Sequence, residues 1–247
     1  MVVLACVMSG ALFGGLLRSA LPAHHLSDES KDVIKVATGL IATLVALVLG
    51  LLIASAKSSF DIKSEEIQTS AAKVVLLDRE LRRMGPSADM ARLALRRGVA
   101  FRLAQQWGED SFRSLGEARD GVVTMDQVED NIRAITSLND GQRLLQARAL
   151  GLASEISQTR WLLVEQAAGA IAFPFLVILV FWLFVIFTSL GLFAPRNFTV
   201  YGAIILCALS VSAAVLLILE LDRPFQGLIT ISKEPLRNAL SQLDRGS

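Results

Sequence analysis

The 24 residues VIKVATGLIATLVALVLGLLIASA, Val33–Ala56, carry a single charge, Lys35. A helix of ~20 apolar residues crosses the ~30 Å hydrocarbon layer of a bilayer, so this stretch reads as a membrane span. The rest of the chain repeats the contrast. Met1–Leu17 has no charged residue, Leu162–Phe193 only Glu165 and Thr199–Leu221 only Glu220, which leaves 44 of the 47 charged residues outside four apolar stretches. Hydrophobic residues make up 53% of the 247 positions, charged residues 19%, and mean hydropathy is +0.53. With glycine included the apolar share is roughly 60%, against ~45–50% in a soluble domain. Lys plus Arg (24) nearly balance Asp plus Glu (23), so no net field recruits nucleic acid. Cys6 and Cys207 both lie in apolar stretches, which excludes a disulfide framework.

The pattern predicts an all-α, four-helix transmembrane protein with a helical cytoplasmic insert between spans two and three. Residues 1–56 hold the first two spans and a short non-cytoplasmic loop, 57–161 the insert, 162–221 spans three and four, and 222–247 a cytoplasmic tail. The first stretch is short at 17 residues, but no basic region precedes it as in a secretory signal, so it reads as a span. The insert holds 16 basic and 15 acidic residues in 105 positions. Its apolar residues recur at helical spacing. Val74, Val75, Leu77, Leu81 and Met84 form a stripe that ends at Gly85-Pro86, where the proline ring forbids continuation. Ser87 is the expected N-cap of a helix to Trp107, and Thr124 of one presenting Val128, Ile132, Ile135 and Leu138. Asn139-Asp140-Gly141 reads as a turn. Beyond it the pattern runs without a breaker through Trp161, predicting one long helix that enters the third span and bends at Pro174. Nine basic residues near span ends lie on the insert and tail side, among them Lys57, Arg160 and Arg223, against Arg18, Lys31, Lys35 and Arg196 opposite. That asymmetry favours a cytoplasmic insert and cytoplasmic termini, in the inner membrane.

The second span carries the most specific chemistry. At 100° per residue, Lys35, Gly39, Ala42, Ala46, Gly50, Ile53 and Lys57 fall within about 80° of one another, and the two lysines stand ~33 Å apart along the axis. In a ring of subunits this small-residue face could line a pore whose lysine rings attract anions. Small residues at four-residue spacing also let helices approach closely, and lysines at span ends snorkel to the interface. Glu165 and Glu220 sit at span margins, where a carboxylate costs desolvation and is a candidate gate. Glu220 with Asp222 and Arg223 could equally form an ion pair fixing the turn before Pro224. The only histidines, His24 and His25, share a short loop with Asp28 and Glu29; adjacent histidines point apart, so no metal site is expected. Phe173, Phe175, Phe181, Trp182, Phe184 and Phe187 crowd the third span and read as lipid-facing or interhelical packing. No phosphate-binding glycine loop, nucleophile elbow, HExxH or CxxC is present, so neither enzyme activity nor a cofactor is expected.

Three blocks carry a family likeness. They are Arg18-Ser19-Ala20-Leu21-Pro22 with His24-His25-Leu26-Ser27-Asp28-Glu29-Ser30-Lys31-Asp32-Val33, the run Gly39–Lys57, and Leu221-Asp222-Arg223-Pro224-Phe225-Gln226-Gly227 followed by Ile231-Ser232 and Pro235-Leu236. Together they resemble the bacterial bestrophin-like membrane proteins over essentially the whole chain. Through that family the sequence is distantly similar to the bestrophins, pentameric anion channels with four spans and a helical cytoplasmic part. The resemblance implies a homo-oligomer, a pentamer by analogy, whose partners are the lipid bilayer and small inorganic ions such as chloride. The clustered acidic residues of the animal calcium clasp have no counterpart here, and no pair of large apolar residues stands out as the pore neck. The expected function is an anion-conducting channel lined by span two. The other reading is a non-conducting sensor or scaffold whose cytoplasmic helices dock a protein partner.

Overall fold

A computed structural model describes residues 2–22, 28–108, 125–136, 139–166, 173–195, 197–225 and 227–244. Among them the secondary structure is helical: α1 (Val2–Ala20), α2 (Asp28–Met84), a 3-10 turn (Pro86–Ala88), α3 (Asp89–Trp107), α4 (Met125–Arg133), α5 (Asp140–Gln166), α6 (Phe173–Phe193), α7 (Phe198–Asp222) and α8 (Glu234–Asp244). Four helices, α1, α2, α6 and α7, are long and apolar enough to cross a membrane. The chain divides into two compact units, Met1–Ser59 with Gly169–Asp222, and Phe60–Ala168 with Arg223–Ser247.

In the first unit α1 and α6 lie parallel with their backbones in contact. A Cβ on Gly14 would fall on the Thr188 carbonyl, one on Gly191 on that of Ala11, and one on Gly10 only 2.8 Å from the Phe184 oxygen. Glycine is what permits the approach, because any side chain would wedge the helices apart. Farther along the same seam the Arg18 guanidinium donates to the Ala194 carbonyl just past α6, covering one of the carbonyls a helix end leaves free. The Phe13 and Phe184 rings meet at a 30° tilt, their centroids 6.3 Å apart. The Thr38 and Ser189 hydroxyls, 3.0 Å apart, tie the start of α2 to the last turns of α6.

The second unit has an apolar core drawn from five helices. Ile67, Leu77 and Leu81 of α2 meet Leu95 and Leu103 of α3, Val128 and Ile132 of α4, Ala153 and Ile156 of α5, and Leu236 and Leu240 of α8. α2 and α3 run antiparallel: Arg92 donates to Asp78 at 3.0 Å and Arg102 to Ser70 at 3.1 Å. The Trp107 indole, at the end of α3, donates to the Ile231 carbonyl at 3.0 Å and meets the Phe225 ring edge-on at 5.3 Å. This pins the loop that follows Asp222.

Several sequence expectations need correction. The helix of the second span runs on past Ala56 without a break to Met84, 57 residues in all and ~85 Å at 1.5 Å per residue. No glycine or proline interrupts it between Gly50 and Gly85, so the change in composition at Lys57 leaves the helical period intact. Gly85 stops it with φ of 79°. Ser87 does not cap α3, because the 3-10 turn intervenes and its hydroxyl donates instead to the Met84 carbonyl. Asn139 opens a helix rather than a turn. Its Oδ1 accepts from the Gln142 N–H at 2.8 Å while the Gln142 side chain accepts from the Asn139 N–H at 3.2 Å, a reciprocal cap. Pro174 is the second described residue of α6, and the residues before Phe173, with them the expected bend, lie outside the described residues. Whether α5 and α6 join in one helix, and the expectations for Thr124 and Leu138, lie outside the described residues.

A candidate pore-lining face on the second span

Within the first unit α2 presents three faces. Val45, Leu52 and Ala56 are buried; on the helical wheel they define one side. A second side carries Val36, Leu40, Leu44, Leu47 and Leu51, all exposed. The third is the stripe singled out from the sequence. Lys35, Gly39, Ala42, Ala46, Gly50 and Lys57 are exposed and Ile53 is half-buried. A Cβ added to Gly39 or Gly50 would meet nothing within 4 Å. Six of the seven residues thus lie exposed along one stripe, with Ile53 half-buried, and among the described residues no helix packs on its glycines.

The polar groups along the stripe are satisfied locally. The Thr43 hydroxyl donates back to the Gly39 carbonyl at 2.8 Å, and Lys35 pairs with Asp32 at 3.3 Å, both side chains mostly exposed. An ion pair this exposed holds its partners by ~0–1 kcal/mol, so the Lys35 ammonium is available to other anions. Beside it lies a groove of about 590 Å³ lined by Lys35, Thr38, Ser189, Phe193, Val200 and Cys207, among other residues. The walls are predominantly apolar, with Lys35 the one charged residue among the described residues that line it.

The other candidates are placed as follows. Glu220 is half-buried near the end of α7, Asp222 is the last residue of that helix, and Arg223, where the chain re-enters the second unit, is exposed. Glu165 belongs to α5, but its side chain, like that of Trp161, lies outside the described residues, as do His24 and His25. Among the described residues no group of three or more His, Cys, Asp or Glu converges as a metal site. Of the third-span aromatics Phe175 and Phe181 are exposed, Phe187 is buried and Phe184 meets Phe13. The sequence reading missed the Gly10/Gly14 contact, although Gly10-x-x-x-Gly14 is a spacing that favours close helix pairs.

Residues 5–236 match the bestrophin-like domain. The chain belongs to the bestrophin-like family. Solved structures agree at the level of fold. One variant of a bacterial bestrophin homologue from Klebsiella pneumoniae aligns at 14% identity with a TM-score of 0.66, covering 100% of this chain and 97% of that one. Another from the same organism aligns at 16% identity with a TM-score of 0.65, covering 99% and 96%. A third structure, of a membrane protein, gives 15% identity and a TM-score of 0.66 over 99% and 96%. No curated protein sequence matches. This bestrophin-like chain is thus an all-α membrane protein of the bestrophin fold.

Proposed function

We propose that the protein is a homo-oligomeric, anion-conducting channel of the inner membrane, with α2 lining the path and both termini cytoplasmic. The observation that carries the reading is the uncovered stripe from Lys35 to Lys57. A face of glycine and alanine that packed on its own subunit would be explained by that packing, and here it is not. Four helices from one copy are too few to enclose a water-filled path, so the stripe works only in an assembly, five subunits by analogy with bestrophins. In such a ring it forms one margin of the surface that α2 turns to the path. Lys35 and Lys57 then place a ring of ammonium groups near each mouth, raising local anion concentration and opposing cations.

The test is chloride efflux from liposomes holding the purified protein, beside a Lys35→Glu variant. Chloride-selective efflux that weakens or shifts toward cations in the variant supports the channel. No efflux above empty liposomes, from protein shown to be folded and oligomeric, transfers the reading to a non-conducting scaffold.

A further inference from the structure

The groove beside Lys35 differs from the open faces of α2, because it is concave and its polar groups gather at one end. Its described walls all belong to the first unit: Lys35 and Thr38 from the start of α2, Ser189 and Phe193 from the end of α6, Val200 and Cys207 from the start of α7. Its volume of about 590 Å³ falls among those of small-molecule sites, which are mostly apolar with a few polar groups that fix orientation. Depth can be counted inward from the short connection between α6 and α7. At 1.5 Å per residue Ser189, with its partner Thr38, lies about 6 Å in, and Cys207 about 13 Å in. Lys35, one turn before Thr38, returns nearly to the level of that connection. There the Arg18 guanidinium donates to the carbonyl of Ala194, another wall residue, and sets a second cation at the same end. Among the described residues no carboxylate lines the groove, and the pair that Lys35 makes with Asp32 is exposed and therefore weak.

We propose that the groove seats one anionic phospholipid from the leaflet at the start of α2, its phosphate against Lys35 and an acyl chain running inward past Val200 to Cys207. Charge and shape select this occupant together. A soluble anion would use the ammonium but none of the apolar wall. A zwitterionic lipid would use the wall, but its phosphate is already paired with its own ammonium. An anionic lipid uses both, and the bilayer holds its headgroup at the depth to which a lysine near a span end reaches. Lys35 stands where the groove meets the stripe, so a seated phosphate also takes up the positive charge at that mouth. Where the chain conducts, anionic lipid therefore lowers chloride efflux. That effect on efflux rests on the channel reading; the groove does not.

The test uses the full-length chain in phosphatidylcholine liposomes with and without phosphatidylglycerol. Cys207 lines the groove and Cys6 does not. An uncharged, bilayer-permeant maleimide is added, and alkylation of the two thiols is compared by peptide mass, Cys6 serving as the internal reference. Phosphatidylglycerol is expected to lower the Cys207-to-Cys6 ratio several-fold in the parent and in Lys57→Gln, and to leave it unchanged in Lys35→Gln. A parent ratio indifferent to phosphatidylglycerol would overturn the proposal, as would equal protection in a Lys35→Gln chain that circular dichroism shows to be folded. So would a Cys207 shielded in both lipids and opened only on dissociation to monomers, the mark of a second copy in the groove. Protection in protein that passes no chloride upholds the lipid site and defeats only the channel. Efflux without protection defeats only the lipid site.

Discussion

Asp78 is the most constrained charge in the second unit. Its side chain is 3% exposed and accepts from Arg82 at 2.6 Å and Arg92 at 3.0 Å, while Arg82 also donates to the Gln242 carbonyl of α8 at 3.0 Å. Asp78→Ala removes the buried acceptor that Arg82 and Arg92 share, leaving Arg82 its bond to the Gln242 carbonyl and Arg92 its approach to Asp89, and loss of charge-assisted hydrogen bonds of this kind costs about 1–3 kcal/mol. We expect a lower unfolding midpoint and faster proteolysis at the C-terminal helix. A variant as stable and protease-resistant as the parent would contradict this. Glu66, in the part of α2 beyond the apolar run, has an opposite problem. Its Oε2 is buried with no hydrogen-bond partner among the described residues, and burial holds its carboxyl above the usual carboxylate range against the pull of Arg102 and Lys63. The folded chain therefore binds this proton more tightly than the unfolded chain. The contribution to stability is fully present below the ordinary glutamate value and fades as pH rises through the raised one. Unfolding midpoints recorded across mildly acidic pH should fall with rising pH in the parent, and Glu66→Gln should flatten that slope. Parallel profiles would refute the assignment. None of this was legible in the sequence, where Asp78 and Glu66 are two acids among 15 in the insert and nothing local marks which are buried.

At the scale of elements, the apolar runs and their stop signals were readable because each depends on residues close together in the chain. The four spans follow from missing charges, and the end of α2 from Gly85-Pro86. The continuity of α2 past Lys57 was hidden by the shift from apolar to charged composition, which changes what surrounds a helix without breaking it. Asn139 misled for a related reason: Asn-Asp-Gly is turn chemistry, yet Asn139 with Gln142 is also a helix cap. The α1–α6 contact joins residues some 170 positions apart, beyond the reach of any local period. It makes a sharp prediction. Gly14→Val drives a branched side chain into the Thr188 carbonyl and should cost about 1–3 kcal/mol, read as a lower unfolding midpoint in detergent. Gly15→Val, where a Cβ meets nothing, should leave the midpoint unchanged. Equal losses in both would show that valine's helix preference, rather than the contact, sets the effect.

For the whole molecule, membership of the bestrophin-like family and an all-α membrane architecture are established, and the resemblance was visible in three blocks of sequence. The candidate face was legible as a pattern, small residues bracketed by lysines. Whether α2's own subunit covers it was not, since that depends on which side of the helix Val45, Leu52 and Ala56 turn inward. The account's central claim is that the uncovered surface of α2 borders an anion path. It is tested most directly by placing cysteine at Thr43 in a chain lacking Cys6 and Cys207, and recording chloride efflux before and after a membrane-impermeant thiol reagent. The account predicts that modification of Thr43→Cys sharply reduces efflux, while modification of Leu206→Cys, on the exposed surface of α7, does not. Efflux that survives modification of Thr43→Cys, with labelling confirmed by mass, would contradict it.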